Sequence, residues 1–297
     1  MRLNRAVPLY VDAAPRPPTA ALQALGRAAT VALYDELALA PKPGLVSFVD
    51  SGSHTDMDAR TFLRSLFALR HYFPRIAALG WAQAPFAALE NCGRDAEARM
   101  LAATGGINTH RGAVFTLGLL CAAGGAVLRD GGPAPAGLPP HAVRAALLRH
   151  WGPALAARAG RASGLPGGIA AARHGLRSAG QEAAAGFPTL FERVAPALDR
   201  GLRSGVPPDR ARCDALFHAM AALDDTNLAH RGGLSALRDV QGTAQAFLQA
   251  GGVARPGGLA AAWALHRRFV AGRLSPGGAA DMLAAACWLQ RVGGVRP

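Results

Sequence analysis

The chain holds a single lysine, Lys42, among 32 basic residues, and arginine makes up the rest. Aromatic residues reach only 6%. An alanine-, leucine- and arginine-heavy chain with few aromatics favours helices over strands. Such a balance is also what a GC-rich genome writes, so part of the basic excess is ascribed to codon drift. The four cysteines, Cys92, Cys121, Cys213 and Cys287, form no Cys-x-x-Cys pair, which argues against a zinc knuckle or a redox motif. Free thiols in a reducing cytoplasm are expected. No apolar h-region follows Met1-Arg2-Leu3-Asn4-Arg5, so no signal peptide is expected. The most apolar run, Ala113 to Leu128, is shorter than the roughly 20 residues of a membrane span and contains Gly118, Gly124 and Gly125. It is read as a buried core helix of a soluble, cytoplasmic protein.

What is present is apolar bulk and positive charge. Hydrophobic residues make up 51% of 297 and charged residues 17%, which excludes a disordered tail and allows a sizeable core. The net charge of +13 attracts nucleic acids, anionic membranes or phosphate-rich small molecules. The arginines are spread along the whole chain and aromatics for base stacking are scarce, so neither nucleic acid nor membrane is the expected partner.

Residues 1–18 read as a flexible arm, and 19–297 as a single all-helical domain with a subdivision allowed at the Gly/Pro linker 130–140. Helical spacing predicts a helix over Thr19–Ala40, ended by Pro41, and a helix capped by Asp56 or Asp58 with a break or kink at Pro74. Further helices are predicted over Glu90–Ala103, from Ala113, and over Asp209–Ala222, Leu234–Gln249, Leu259–Ala271 and Pro276–Gln290. Ser275 is the expected cap of the last one. No alternating β-branched run and no strand–helix repeat occurs. The expected fold is all-α, a multi-helix bundle whose glycine-rich loops converge on one polar pocket.

Only 19 residues are acidic, and several sit beside glycines at helix–loop junctions. In Pro41-Lys42-Pro43-Gly44-Leu45-Val46-Ser47 two prolines stiffen the backbone around the lone lysine, suiting an ammonium presented to phosphate. Gly52-Ser53-His54-Thr55-Asp56-Met57 follows, with His54 and Asp56 placed for one acid–base or ligand site. An ordinary turn with a solvated lysine and a capping aspartate explains the same residues. Thr104-Gly105-Gly106-Ile107-Asn108-Thr109-His110-Arg111-Gly112 leads into a helix N-terminus, a natural anion site, though it is neither a Walker loop nor a dinucleotide fingerprint. A capped helix start explains it too. Asp224-Asp225-Thr226-Asn227 offers hard oxygen ligands to Mg²⁺, and Asn227-Leu228-Ala229-His230-Arg231-Gly232 echoes Asn108 to Gly112. Helix closure by polar residues is the alternative. Ser275-Pro276-Gly277-Gly278-Ala279-Ala280-Asp281 is a helix start whose glycines imply either close backbone approach to a ligand or tight helix packing. Glu182, ahead of Gly186-Phe187-Pro188, is one of the few acids in mid-chain.

With Glu36, these segments taken in order over about residues 20 to 290 resemble the triphosphoribosyl-dephospho-CoA synthase family. Ser47-Phe48-Val49-Asp50 and Gly186-Phe187-Pro188-Thr189-Leu190-Phe191 look more like its malonate decarboxylase branch than its citrate lyase branch. One departure stands at Leu165-Pro166-Gly167-Gly168, where a proline replaces the histidine usual before the glycine, so no catalytic histidine is placed there. The resemblance implies attack of the 2′-hydroxyl of 3′-dephospho-CoA on C1′ of the ATP ribose, with adenine leaving. It nominates His54, Asp56, Glu182 and Glu36 as catalytic. Lys42, Arg111 and Arg231 fall to phosphates, supported by Gly44, Ser47, Gly105, Gly106, Asn108, Thr109, His110, Asn227, Gly232, Ser275, Gly277 and Gly278. Asp224, Asp225 and Asp281 fall to Mg²⁺, the one cofactor implied, with Glu36 the alternative to Asp224 beside Asp225. The implied partners are ATP, 3′-dephospho-CoA and a carrier-protein-modifying transferase that takes the product; a homodimer is compatible with the sequence. The rival readings are a helical nucleotide or ADP-ribose N-glycoside hydrolase, a basic nucleic-acid binder, and a decarboxylase assembly factor without catalysis.

Overall fold

A computed structural model describes residues 17–131, 137–162 and 164–293. Residues 1–16 of the expected arm and 132–136 of the expected linker lie outside the described residues. The regular elements within them are all helical, so the all-α expectation holds. In chain order they are α1 (Thr19–Ala38), α2 (Ala59–Leu69), α3 (Tyr72–Trp81), α4 (Phe86–Thr104), α5 (Arg111–Gly131) and α6 (Pro140–Ala159). Then come α7 (Pro166–His174), α8 (Ala179–Ala184), α9 (Ala195–Arg203), α10 (Pro208–Ala222), α11 (Thr226–Gln249), α12 (Gly258–Ala271) and α13 (Gly277–Val292). A π-helical turn, Leu190–Val194, leads into α9, and a 3₁₀ turn, Gly252–Ala254, precedes α12.

Helix ends follow local chemistry, with some corrections to the expected bounds. α1 stops at Ala38 rather than Ala40, because the residue before Pro41 is pushed from the helical region and Leu39 is already extended at ψ 131°. Asp58, not Asp56, caps α2, accepting from the Thr61 N–H at 2.9 Å. The break expected at Pro74 falls at Arg70 and His71 instead; Pro74 lies in the first turn of α3, where no partner awaits its missing N–H. Ser275 does not cap α13, because Pro276 holds that position. α11 bends at Gly233 (φ 70°), so the helix expected from Leu234 is its second limb. Between 140 and 203, where periodicity predicts no boundary, four helices and the π turn form.

α5 is the hub. It is long and apolar enough to cross a membrane, yet 72% of its most apolar window is buried inside the protein. It packs on α3 through glycines: a Cβ on Gly80 would collide with the Ala122 carbonyl, and one on Gly125 with the Ala77 carbonyl. Tyr72 on α3 donates from its hydroxyl to the Val114 carbonyl at 2.9 Å, and Gly118 leaves room for that hydroxyl. α13 lies against α1, where Trp288 Nε1 donates to the Leu25 carbonyl at 3.1 Å. Buried apolar side chains from Leu22 to Leu289 form one contiguous cluster around these helices.

The α3–α5 approach predicts that Gly125→Ala lowers unfolding free energy by about 1–3 kcal/mol, the usual range for overpacking. Gly131→Ala, with nothing within 4 Å of the added methyl, is expected to be near neutral. Urea unfolding of the two variants checks both.

Candidate active site

A cavity of about 670 Å³ is lined by the starts of several helices. Arg111 and Gly112 of α5, Pro166 to Gly168 of α7, Thr226 and Asn227 of α11, and Gly277 and Gly278 of α13 form its walls. The first turn of a helix carries unpaired N–H groups and a partial positive charge, so this convergence favours a multiply charged anion.

Two side chains set those helix starts. Asn108 Oδ1 accepts from the Arg111 N–H at 3.1 Å. Asp225 is buried and serves two helices at once. Its Oδ1 accepts from the N–H groups of Asn227 (3.0 Å) and Leu228 (3.3 Å) in α11, and its Oδ2 from the Ala279 N–H (3.2 Å) in α13. Burial raises the Asp225 carboxyl above the usual carboxylate range, against the pull of these N–H groups. A side chain at Gly278 would press on this carboxylate, which explains that glycine.

Two more carboxyls lie close by. Asp281 faces the start of α5, where Gly112 leaves room for it and the Ala113 N–H bonds it. Burial, then the charges of Glu36 and Asp225, hold Asp281 well above the usual range. Glu36 is ion-paired with Lys42, which is 1% exposed. Burial lowers the lysine from its ordinary 10.5, opposed by Glu36.

Two histidines also line the cavity. His110 Nδ1 meets Ser65 Oγ at 2.6 Å, and burial, then the Lys42 charge, drop its pKa from 6.5 to about 3. It is therefore a neutral imidazole. His54 Nε2 meets Ser275 Oγ at 2.8 Å; burial, then Arg231, hold it below 6.5 against the nearby Asp56. Thr109 Oγ1, His110 Nε2 and His54 Nδ1 are buried without a hydrogen-bond partner, and all three residues line this cavity. Orphaned buried polar atoms cost about 1–3 kcal/mol each, so three around one cavity point to a polar occupant. Glu182 lines the same cavity and is buried, its Oε1 accepting from the Thr189 N–H at 2.7 Å and its Oε2 facing Arg177 Nη1 at 3.2 Å.

Residues 22–296 match the family CitG, ATP:dephospho-CoA triphosphoribosyl transferase. The chain belongs to this family. It is 40% identical over 280 residues to the "Probable 2-(5''-triphosphoribosyl)-3'-dephosphocoenzyme-A synthase" of Stutzerimonas stutzeri (strain A1501), covering 92% of each chain. It is 37% identical over 274 residues to the "2-(5''-triphosphoribosyl)-3'-dephosphocoenzyme-A synthase" of Klebsiella pneumoniae, covering 91% of this chain and 95% of that one. No solved structure matches it. The protein is thus a transferase whose family uses ATP and dephospho-CoA.

Most expected site residues of the transferase share the cavity: Glu36, His54, Asn108, Thr109, His110, Arg111, Glu182, Asp224, Asp225, Asn227, Arg231, Ser275, Gly277, Gly278 and Asp281. The echoed Asn-to-Arg segments both face it, the second from within α11 rather than from a loop. Others do not line it. Lys42 is turned inward to Glu36 instead of being displayed to phosphate. Gly44 (φ 72°) lets its loop pass the Leu274 carbonyl, and Ser47 Oγ accepts from the Val49 N–H at 3.1 Å. Asp56 is exposed, with Oδ1 3.5 Å from His54 Nδ1, too long for a good hydrogen bond. Gly105 (φ 69°) and Gly106 end α4 on the Leu101 carbonyl, and Gly232 lies beside the bend of α11. Arg111 is engaged by Glu97 at 2.5 Å.

The expected trio Asp224, Asp225 and Asp281 does not converge; Asp224 Oδ2 instead accepts from the Arg177 N–H at 2.9 Å. Among the described residues no three His, Cys, Asp or Glu side chains form a metal cage. The carboxyls whose charges oppose each other are Glu36, Asp225 and Asp281. Sequence reasoning missed Arg177, Arg158 and Arg161 on the cavity wall and Ser65 behind His110. Only Arg177 had a signal, its place in the stretch leading to Glu182.

Two predictions follow from these burials. Lys42→Met strands the Glu36 charge and lowers stability by about 3–5 kcal/mol, while adding Glu36→Leu recovers most of it; chemical denaturation of both variants checks this. His110 binds a proton in the unfolded chain below 6.5 but in the folded one only near 3, so acidification through that window favours unfolding. The wild-type Tm is therefore expected to fall more steeply there than that of His110→Asn, and parallel curves would count against a buried neutral histidine.

Proposed function

We propose that this transferase moves the triphosphoribosyl group of ATP to the 2′-hydroxyl of 3′-dephospho-CoA and releases adenine. The observation that supports this best is the convergence of several helix starts and three orphaned polar atoms on one cavity that also holds buried carboxyls. The triphosphate needs N–H donors and cations, supplied by the helix starts and by Arg231. The sugar needs negative charge as its C1′ becomes cationic, supplied by the carboxyls of Glu36, Asp225 or Asp281.

In the step itself the acceptor 2′-oxygen bonds to C1′ as the C1′–N9 bond breaks, its electron pair leaving with adenine. Glu182, oriented by Thr189 and Arg177, takes the hydroxyl proton. Neutral His54 or His110 hydrogen-bonds the departing base, and a proton from solvent completes adenine. The donor set fits a Mg²⁺ that arrives with the triphosphate, since that ion takes one or two protein carboxylates plus phosphate oxygens. Asp281 and Asp225 would hold it, and it would neutralise phosphate charge. The product would pass to a carrier-modifying transferase for the malonate decarboxylase prosthetic group, in the cytoplasm. Segments 47–50 and 186–191 support that branch.

Purified protein with ATP, Mg²⁺ and 3′-dephospho-CoA is expected to yield adenine and the coupled adduct in equal amounts by mass-resolved chromatography. Adenine without adduct would make it a nucleotide hydrolase. Glu182→Gln is expected to lower kcat by about 10²–10⁴, the range for a lost general base, with ATP binding retained.

A further inference from the structure

The residues that orient Glu182 form a wall with two sides. Arg177 and Thr189 also line a second cavity, of about 560 Å³, together with Arg193, His218 and Gln249. Arg193 is set there by the π turn Leu190–Val194, a rare geometry that recurs at functional sites. Its neighbour Glu192 is taken by Arg144 at 2.9 Å, and Arg193 makes no ion pair among the described residues. The half-buried His218 feels that charge: burial, then Arg200 and Arg193, hold it below its ordinary 6.5. An unpaired guanidinium, a neutral imidazole and an amide stand over an apolar floor of Pro188, Ala221 and Leu248.

The reaction proposed above needs two nucleotides, one of them extended by a long amide-bearing arm. The first cavity, at about 670 Å³, has the size of a site for one drug-sized ligand. We infer that the second cavity receives the diphosphate and pantetheine arm of the acceptor, with Arg193 and His218 on the diphosphate and the acceptor ribose crossing at Arg177 to reach Glu182. Arg193 is then a specificity residue for the acceptor and has no part in binding ATP. This inference rests on the transferase reading of the first cavity.

The test is steady-state kinetics of wild type, Arg193→Gln and His218→Gln, with both substrates varied in turn and the adduct quantified. The expected result is a KM for dephospho-CoA raised about ten-fold in Arg193→Gln and less in His218→Gln, the size of one lost charge-assisted contact. The KM for ATP and kcat should stay within about two-fold, because the first cavity is untouched. An unchanged KM for dephospho-CoA in variants of wild-type Tm would overturn the inference, as would a rise in the KM for ATP, which would give the cavity to the donor. Wild-type protein that forms no adduct would instead remove the transferase reading itself, and this inference with it.

Discussion

One buried carboxylate holds the site in register. Asp225 accepts from two N–H groups of α11 and one of α13, so the starts of two helices that are distant in sequence share a single acceptor. Each helix would otherwise leave N–H groups bare in a buried region. Because both are pinned to the same side chain, Asn227, Gly277 and Gly278 come to one wall at fixed separation. The small residue at 278 is a consequence of that carboxylate and needs no ligand to explain it. The arrangement is economical, but it concentrates negative charge where helix dipoles attract anions.

That conflict explains the lone lysine. Glu36, Asp225 and Asp281 oppose one another in a poorly solvated region, and unpaired buried charge is expensive. The arginines are plentiful, but among the described residues the cation paired with Glu36 is the compact ammonium of Lys42, on a loop stiffened by two prolines. Arg231 remains exposed at the rim, and Arg177 is half exposed while touching Glu182. The +13 balance thus says little about the interior, where acid outweighs base.

The helical class was legible because helix signals are local: spacing of apolar residues, prolines at starts, glycines at stops. α4 ends at Gly105 as its sequence requires. The motif residues were legible as a group because loops carrying chemistry stand out against an alanine-rich background. Their division into surface and interior was not. Whether Lys42 meets phosphate or Glu36 depends on a partner six residues back in another element. Whether Ser275 caps its own helix or bonds His54, 221 residues away, depends on tertiary contact. The helix from Pro140 was missed because its apolar residues are spread round it without a clean stripe.

The separation of signs within the cavity bears on the proposed chemistry. Transfer of a triphosphoribosyl group creates positive charge at C1′ a few bonds away from a tetra-anionic tail. A uniformly basic pocket would bind the tail and oppose the reaction centre; a uniformly acidic one would reject the substrate. Helix starts would resolve this in the proposed reaction, since their partial charges attract phosphate and fall off within one turn. The carboxyls of Glu36, Asp225 and Asp281, the latter two held above their ordinary range by burial, would then lie at close range to the sugar in the proposed reaction. The neutral histidines fit the same logic. A charged imidazolium at position 110 would add positive charge beside Lys42, and burial, then the Lys42 charge, keeps it neutral. In the proposed reaction, selectivity for the transition state over the bound nucleotide would therefore come from where each sign is placed, and the net charge of the chain would contribute only long-range attraction.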